Sequence, residues 1–186
     1  MGEKADLIQR MKEKAEAVQT IIRDVGDIRE AFQYVIDITK EQGGSGIAAP
    51  GLNEAERTTL ARVCSENGLT LVEEKLREHV GKMHTAFTRA DWGIAETATL
   101  VIDSTSEDVR IATMLSEIHV ALLPSSLIRP DADSLQAELN ELMKSPPRYL
   151  AFISGASRTA DIERVLTIGV HGPQELHILI LEDNEA

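Results

Sequence analysis

Ile47-Ala48-Ala49-Pro50-Gly51-Leu52-Asn53-Glu54-Ala55-Glu56-Arg57-Thr58-Thr59-Leu60-Ala61-Arg62-Val63-Cys64-Ser65-Glu66-Asn67-Gly68-Leu69-Thr70-Leu71-Val72 reads as strand, helix and strand in quick succession. The short apolar run 47–49 stops at Pro50-Gly51. Asn53 with Glu56 three residues on makes a capping box. The Asn side chain takes a free backbone N–H of the first turn, and the Glu reaches back to the cap. The helix runs to residue 66, where Asn67-Gly68 supplies a left-handed C-cap before a strand over 69–72. A βαβ unit of this kind points to a parallel sheet.

Further along the chain, short apolar runs keep alternating with capped helical stretches. Strands are expected near 85–88, 97–103, 118–123, 149–154 and 176–181. Helices are expected over 131–144, bounded by Pro146-Pro147, and over 159–167. Ile178-Leu179-Ile180-Leu181 is apolar without alternation, as in a strand covered on both faces. Before Gly43-Gly44-Ser45-Gly46 the pattern is helical. Ile8, Met11, Ala15, Val18, Ile22 and Val25 fall at 3-4-3-4-3 spacing on one stripe that Gly26 ends. Asp27 and Glu30 then open a second helix to about residue 40. The stripe reads as an amphipathic helix lying on its own domain; a coiled-coil seam for a partner is the alternative. The expected organisation is an N-terminal helical segment over 1–42 and an α/β domain over 43–186.

The chain has 186 residues, with 31 acidic against 19 basic side chains and a formal charge of −12; 42% are hydrophobic but only 3% aromatic. Its core must therefore be aliphatic, and a chain of this size buries roughly 70% of its unfolded surface without a disulfide or metal staple. Cys64 is the one cysteine, which excludes an internal disulfide, a self-contained iron–sulfur cluster and a Cys-rich zinc site. The negative field and the lack of Lys/Arg clusters argue against nucleic acid and anionic membrane surfaces. With no apolar leader at Met1-Gly2-Glu3-Lys4-Ala5-Asp6 and no long apolar span, a cytoplasmic protein is expected.

Three segments carry residue types suited to chemistry. In Phe152-Ile153-Ser154-Gly155-Ala156-Ser157-Arg158-Thr159-Ala160-Asp161-Ile162-Glu163 an apolar strand runs into a Gly/Ser turn and a helix start. Free backbone N–H groups and the helix dipole would converge there on an anion, beside the planar donor fork of Arg158. The plainer alternative is that Ser157 or Thr159 merely caps a helix whose dipole Asp161 complements. In Gly169-Val170-His171-Gly172-Pro173 the glycines would leave His171 exposed, as a general acid/base or a donor to a bound anion; a tight turn is the alternative. In Asp91-Trp92-Gly93-Ile94-Ala95-Glu96-Thr97-Ala98-Thr99, Glu96 stands among small residues, as a base, a hydroxyl acceptor or a nucleophile. A surface glutamate at a strand entrance is the commoner outcome. The other histidines, His79, His84, His119 and His177, show no helical metal-ligand spacing, so no metal is expected.

Taken in order, Gly93-Ile94-Ala95-Glu96-Thr97-Ala98-Thr99, the run 154–163 and Gly169-Val170-His171-Gly172-Pro173 resemble the LUD-domain family, and within it the lactate-utilization protein C branch. Two departures are Ala98, where the family more often has Gly, and Ala156, where it more often has Pro. The resemblance implies a Rossmann-like α/β sheet of the NagB/RpiA/CoA-transferase-like type. It further implies a component of a system oxidizing L-lactate to pyruvate, with the iron–sulfur clusters on partner proteins and no cofactor on this chain.

The ligand would then be a small anion held by Thr97, Ser154, Gly155, Ser157, Arg158, Thr159, Asp161 and Gly172, with Glu96 and His171 in catalytic positions. The alternatives are a stand-alone enzyme for a phosphorylated or CoA-linked substrate, or a non-catalytic assembly or regulatory subunit. The oligomeric state is open, a homo-oligomer included.

Overall fold

A computed structural model describes residues 2–73, 75–145, 147–159, 167–169 and 171–183. In chain order the elements are α1 (Gly2–Ala17), β1 (Ile21–Val25), α2 (Ile28–Glu41), β2 (Gly46–Ala48), α3 (Glu54–Glu66) and β3 (Thr70–Val72). Then follow β4 (Thr85–Arg89), β5 (Trp92–Ile94), β6 (Thr99–Asp103), α4 (Glu107–Leu115), β7 (Ile118–Pro124) and β8 (Ile128–Arg129). The last are α5 (Gln136–Leu142), β9 (Leu150–Ile153), β10 (Arg158–Thr159), β11 (Thr167–Ile168) and β12 (Glu175–Leu181).

The central sheet is six-stranded, ordered β1-β12-β7-β4-β2-β3, and every pairing in it is parallel. Such a sheet needs cover on both faces, and alternate side chains of β7 and β12 show how it is achieved. Val120, Leu122 and Leu179 pack with Phe32, Val35 and Ile36 of α2 and with Leu60 and Cys64 of α3. Ala121, Leu123, Ile178 and Ile180 pack on the other face with Met11 and Ala15 of α1 and with Leu100 and Ile102 of β6. Farther along that second face α4 covers Ala48 and Ala86 with Ile111 and Ala112. Each fully buried aliphatic side chain contributes about 1.5–3 kcal/mol of transfer free energy. A smaller sheet, ordered β8-β5-β6-β9, lies over the α1 side of this core, with β6 antiparallel to both β5 and β9.

Both expected N-caps form, and Asn53 with Glu56 closes a capping box, whereas Glu30 reaches past Asp27 to the residue before it. Asn53 accepts from Glu56 N at 3.0 Å and the Glu56 carboxylate accepts from Asn53 N at 3.2 Å. Asp27 Oδ1 accepts from Arg29 N and Glu30 N, while Glu30 reaches back to Gly26 N at 2.7 Å. Gly68 has φ +72°, the left-handed C-cap conformation.

Several expectations are corrected. The N-terminal stripe is not one helix to Val25: α1 ends at Ala17, Gln19 turns through φ +54°, and residues 21–25 form β1. Ile22 and Val25 continue a helical spacing by coincidence. Parallel hydrogen bonds to β12 and burial of Val25 in the main core favour the strand.

It follows that residues 1–42 are not a separate helical segment, because Val25, Ala31 and Phe32 share one core with Ile47 and Leu179. The stripe does lie on its own domain, with Met11 and Ala15 fully buried. The helix expected to open at Thr159 gives way to a strand there, since β10 pairs antiparallel with β11. Residues 160–166 lie outside the described residues. The helix expected over 131–144 is confined to α5 after one 3₁₀ turn at Asp133–Leu135. Helix α4 and strands β5 and β8 were not anticipated.

Candidate functional site

The antiparallel register of β6 and β9 sets Leu100 opposite Ile153 and so brings Thr99 to Ser154. Their hydroxyls are 2.6 Å apart, and Thr99 Oγ1 is also 2.6 Å from Thr97 Oγ1. Two of the expected site residues, Thr97 and Ser154, are thus joined through a third that the motif reading passed over. The turn before Thr99 places Ala98 at φ +51° with no exposed surface. Glu96 is exposed, and its carboxylate lies 3.6 Å from the Arg10 guanidinium of α1.

Beyond β9 the chain turns against the end of α1. Gly155 has φ +85°, and a Cβ there would sit 3.0 Å from the Val18 carbonyl oxygen and 3.2 Å from Val18 Cβ. Only glycine meets both the backbone angle and the close approach. Arg158 donates through Nη2 to the same Val18 carbonyl. Ser157 joins the second motif to the third: its N–H donates to Pro173 O at 2.9 Å, and its hydroxyl accepts from His171 N at 3.3 Å. Its Cβ would lie 3.2 Å from a Cβ added at Gly172. His171 and Gly172 line a 450 Å³ cleft with Met114 and Glu117 at the end of α4. Thr159 lies on β10, and Asp161 falls outside the described residues.

Convergence is therefore partial. Thr97 meets Ser154, and Ser157 meets His171 and Gly172, but among the described residues no hydrogen bond or ion pair joins Glu96 to His171 or Arg158. The location also differs from expectation. Pro173 leads through Gln174 into Glu175, the first residue of β12, so this corner lies at the amino edge of the parallel sheet. Nor is β9 a strand of that sheet, so the argument from a parallel strand's carboxyl end does not apply to Ser154–Arg158.

The carboxyl edge holds a second arrangement. From β2 the chain passes through α3 to β3 on one side, whereas β4 leads toward β7 on the other, which makes the β2/β4 gap the switch point of the sheet. A 350 Å³ cleft opens there, bordered by Gly51, Thr88, Arg89, Asp91, Asp103 and Thr105. Asp91 Oδ2 accepts from Asp103 N at 2.6 Å. Asp103 accepts from Thr105 N at 2.9 Å and from Arg148 at 2.5 Å. Burial and the nearby Asp103 charge raise the Asp91 carboxyl above its usual range, whereas Thr105 and Arg148 overcome the desolvation of Asp103 and hold it below.

Sequence reasoning missed this pair. Asp91 and Asp103 each close a short apolar run, but only the β5–β6 hairpin brings them together. Among the described residues no group of three or more His, Cys, Asp or Glu side chains is placed to hold a metal ion.

The model of the LUD domain matches residues 8–181, from within α1 to the end of β12. The chain belongs to the LUD-domain family. "Lactate utilization protein C" of Halalkalibacterium halodurans is 34% identical over 113 residues, 59% of this chain and about half (49%) of that protein's length. A protein of the same name from Anoxybacillus flavithermus is 26% identical over 96% of this chain and 81% of its own length. "Uncharacterized protein YkgG" of Escherichia coli is 28% identical over 83% and 70%. The crystal structure of a DUF162 family protein from Deinococcus radiodurans superposes with a TM-score of 0.64 over 97% of this chain and 99% of that one. At 14% identity this shows a shared fold.

Ala98 stands where the resemblance led glycine to be expected, and its positive φ is the conformation that favours glycine.

Proposed function

We propose that this LUD-domain chain serves lactate utilization as a cluster-free component that binds a small anion, alongside partner proteins that carry iron–sulfur clusters. The observation that carries this reading is the family match over 8–181 together with relatives named lactate utilization protein C. Cys64 supports the division of labour. It is buried against α2 in the aliphatic core, and desolvation pushes its thiol up to about 11, so its thiolate is not offered to a cluster.

The anion is assigned to the corner built by Ser157, Arg158, His171 and Gly172. One Arg158 donor is spent on Val18, and among the described residues no other group takes the rest of its planar fork, which suits a carboxylate. Thr97, Ser154 and Gly155 shape the adjoining wall, with Thr159 and Asp161 next in sequence. His171 is the acid/base candidate nearest the anion, and Glu96 stands across α1's Arg10. The test is lactate-dependent growth of a strain deleted for this gene and complemented with wild type or Arg158→Ala, with the purified variant checked by thermal melt. Loss of growth with an unchanged melt is expected; normal growth overturns the anion site. Purification of the wild-type chain from lactate-grown cells without a cysteine-rich iron–sulfur protein overturns the partner assignment.

A further inference from the structure

Four strands close the edges of the two larger sheets, β1 and β3 in one and β8 and β9 in the other. An open edge is normally blunted by a charge, a proline or brevity. Strand β1 carries Arg23 and Asp24, β3 stops after Thr70–Val72, and β8 is Ile128–Arg129 followed by Pro130. Strand β9, Leu150-Ala151-Phe152-Ile153, has neither charge nor proline and is longer than β3 and β8.

The backbone groups that β9 leaves open follow from its register. Ser104 N donates to Tyr149 O at 2.8 Å, so these two residues face each other through their hydrogen-bonding groups. Such groups alternate along an antiparallel pair, which turns those of Ala151 and Ile153 toward β6 and those of Leu150 and Phe152 outward. Asp103, opposite Leu150, shows the same phase, since its N–H turns away from β9 to Asp91 Oδ2. Among the described residues nothing takes the outward N–H and C=O groups of Leu150 and Phe152. Two exposed rings accompany them, Phe152 and Tyr149, on opposite faces of the strand.

We propose that β9 is a dimer interface, pairing antiparallel with β9 of a second copy about a two-fold axis at Ala151. Leu150 then exchanges both backbone hydrogen bonds with Phe152 of the second copy, and Phe152 does so with its Leu150. Centring the axis on Leu150 or Phe152 instead would need partners at Arg148 or Ser154, beyond the strand. The chosen register also gives each exposed ring an apolar neighbour across the axis: Phe152 meets Leu150 on one face, and Tyr149 meets Ile153 on the other. Charge suits a second copy. In a chain of formal charge −12, residues 142–160 are the longest stretch without Asp or Glu, and the Arg148 charge is spent on Asp103. The pairing sets Arg148 opposite Ser154, so no like charges meet at the edge. A strand this short buries less than the ~1,600 Å² of a standard interface, so the dimer is a weak one.

The test is sedimentation velocity of the full chain from about 5 to 500 µM, the range in which a weak interface assembles. A monomer–dimer equilibrium is expected. It should tighten as NaCl rises from about 0.02 to 0.5 M, because salt screens the repulsion between two acidic copies. Phe152→Lys should weaken association about tenfold with an unchanged thermal melt at dilute concentration, since lysine blocks an open edge; Phe152→Leu should retain it. Ala151→Cys reads the register. Its thiols face each other across the axis, where opposed Cα atoms stand about 4.5 Å apart, so mild oxidation should cross-link two chains. Leu150→Cys should not cross-link, because the axis holds its two copies more than about 7 Å apart. A chain that is monomeric throughout the range leaves the edge to a strand of another protein and overturns the proposal. So does a dimer that Phe152→Lys does not weaken, that loosens with salt, or that cross-links equally at both positions.

Discussion

Strands β7 and β12 of the central sheet are buried along almost their whole length, whereas β9, at the edge of the smaller sheet, leaves Phe152 52% exposed and follows a Tyr149 that is 58% exposed. Both sheets contain apolar strands, but the second face of the smaller one is covered only in part, where Leu135 and Leu139 pack on Ile94 and Val101 and leave Phe152 open. The residues that drew notice in the sequence, from Glu96 through Ser154 to His171, lie on the smaller sheet and the loops beside it. On the proposed function the anion site would thus sit on the less covered layer, in keeping with the tendency of ligand-handling segments to lie where local stability is lowest.

The sharpest way to break this contrast is by truncation. Leu122→Ala, in the two-sided core, is expected to cost about 3–5 kcal/mol in urea unfolding, and Phe152→Ala under about 1 kcal/mol. Similar costs at the two positions would remove the distinction between the sheets.

A second test uses pH. The folded-state value of His119, about 4, lies below its ordinary 6.5 because the ring is desolvated and His177 is near. Between those values the unfolded chain binds more protons, so the stability is intact above about pH 6.5 and falls as pH drops toward 4. The full loss is about 3 kcal/mol, and His177, lowered in the same direction, adds to it. Urea midpoints measured across this range check the slope, and His119→Gln should reduce it to the part that His177 contributes. A midpoint that is flat in the wild type would mean that the ring is not buried neutral.

The smallest effect is at Ala98, in the smaller sheet. Glycine would relieve about 1 kcal/mol of left-handed strain but give up about 0.8 kcal/mol of buried methyl, leaving a net change within about 0.5 kcal/mol. A thermal melt of Ala98→Gly shifted by many degrees in either direction would show that one of the two terms is misjudged.

What could be read from the sequence divides along the same line. The capped helices α2 and α3 and the solid apolar strand β12 were legible because their signals are local: an Asn or Asp followed three residues later by Glu, and Ile178-Leu179-Ile180-Leu181 without alternation. Strand β1 was not, because Ile22 and Val25 fit a period of 3.6 as well as a strand, and the break at Gln19 carries neither Gly nor Pro. For the site, the motifs named Thr97, Ser154, Ser157 and His171, and contacts among these are present. The link through Thr99 depends on the register of β6 against β9, which no local pattern specifies. Arg158 was read as preceding a helix because Thr159 and Asp161 suit a first turn; Arg158 and Thr159 instead form β10, paired with β11, and residues 160–166 lie outside the described residues.

The order β1-β12-β7 has a consequence for biosynthesis. Ile21 is synthesised long before its partner His177 of β12. Until β12 is made, β1 and β7 have no strand between them, and each exposes an unpaired edge and an apolar face. So long a closure favours slow folding through species whose strand edges are still open. A chain truncated before β12 would lack the strand that joins β1 to β7 and would be prone to aggregate through the two open edges.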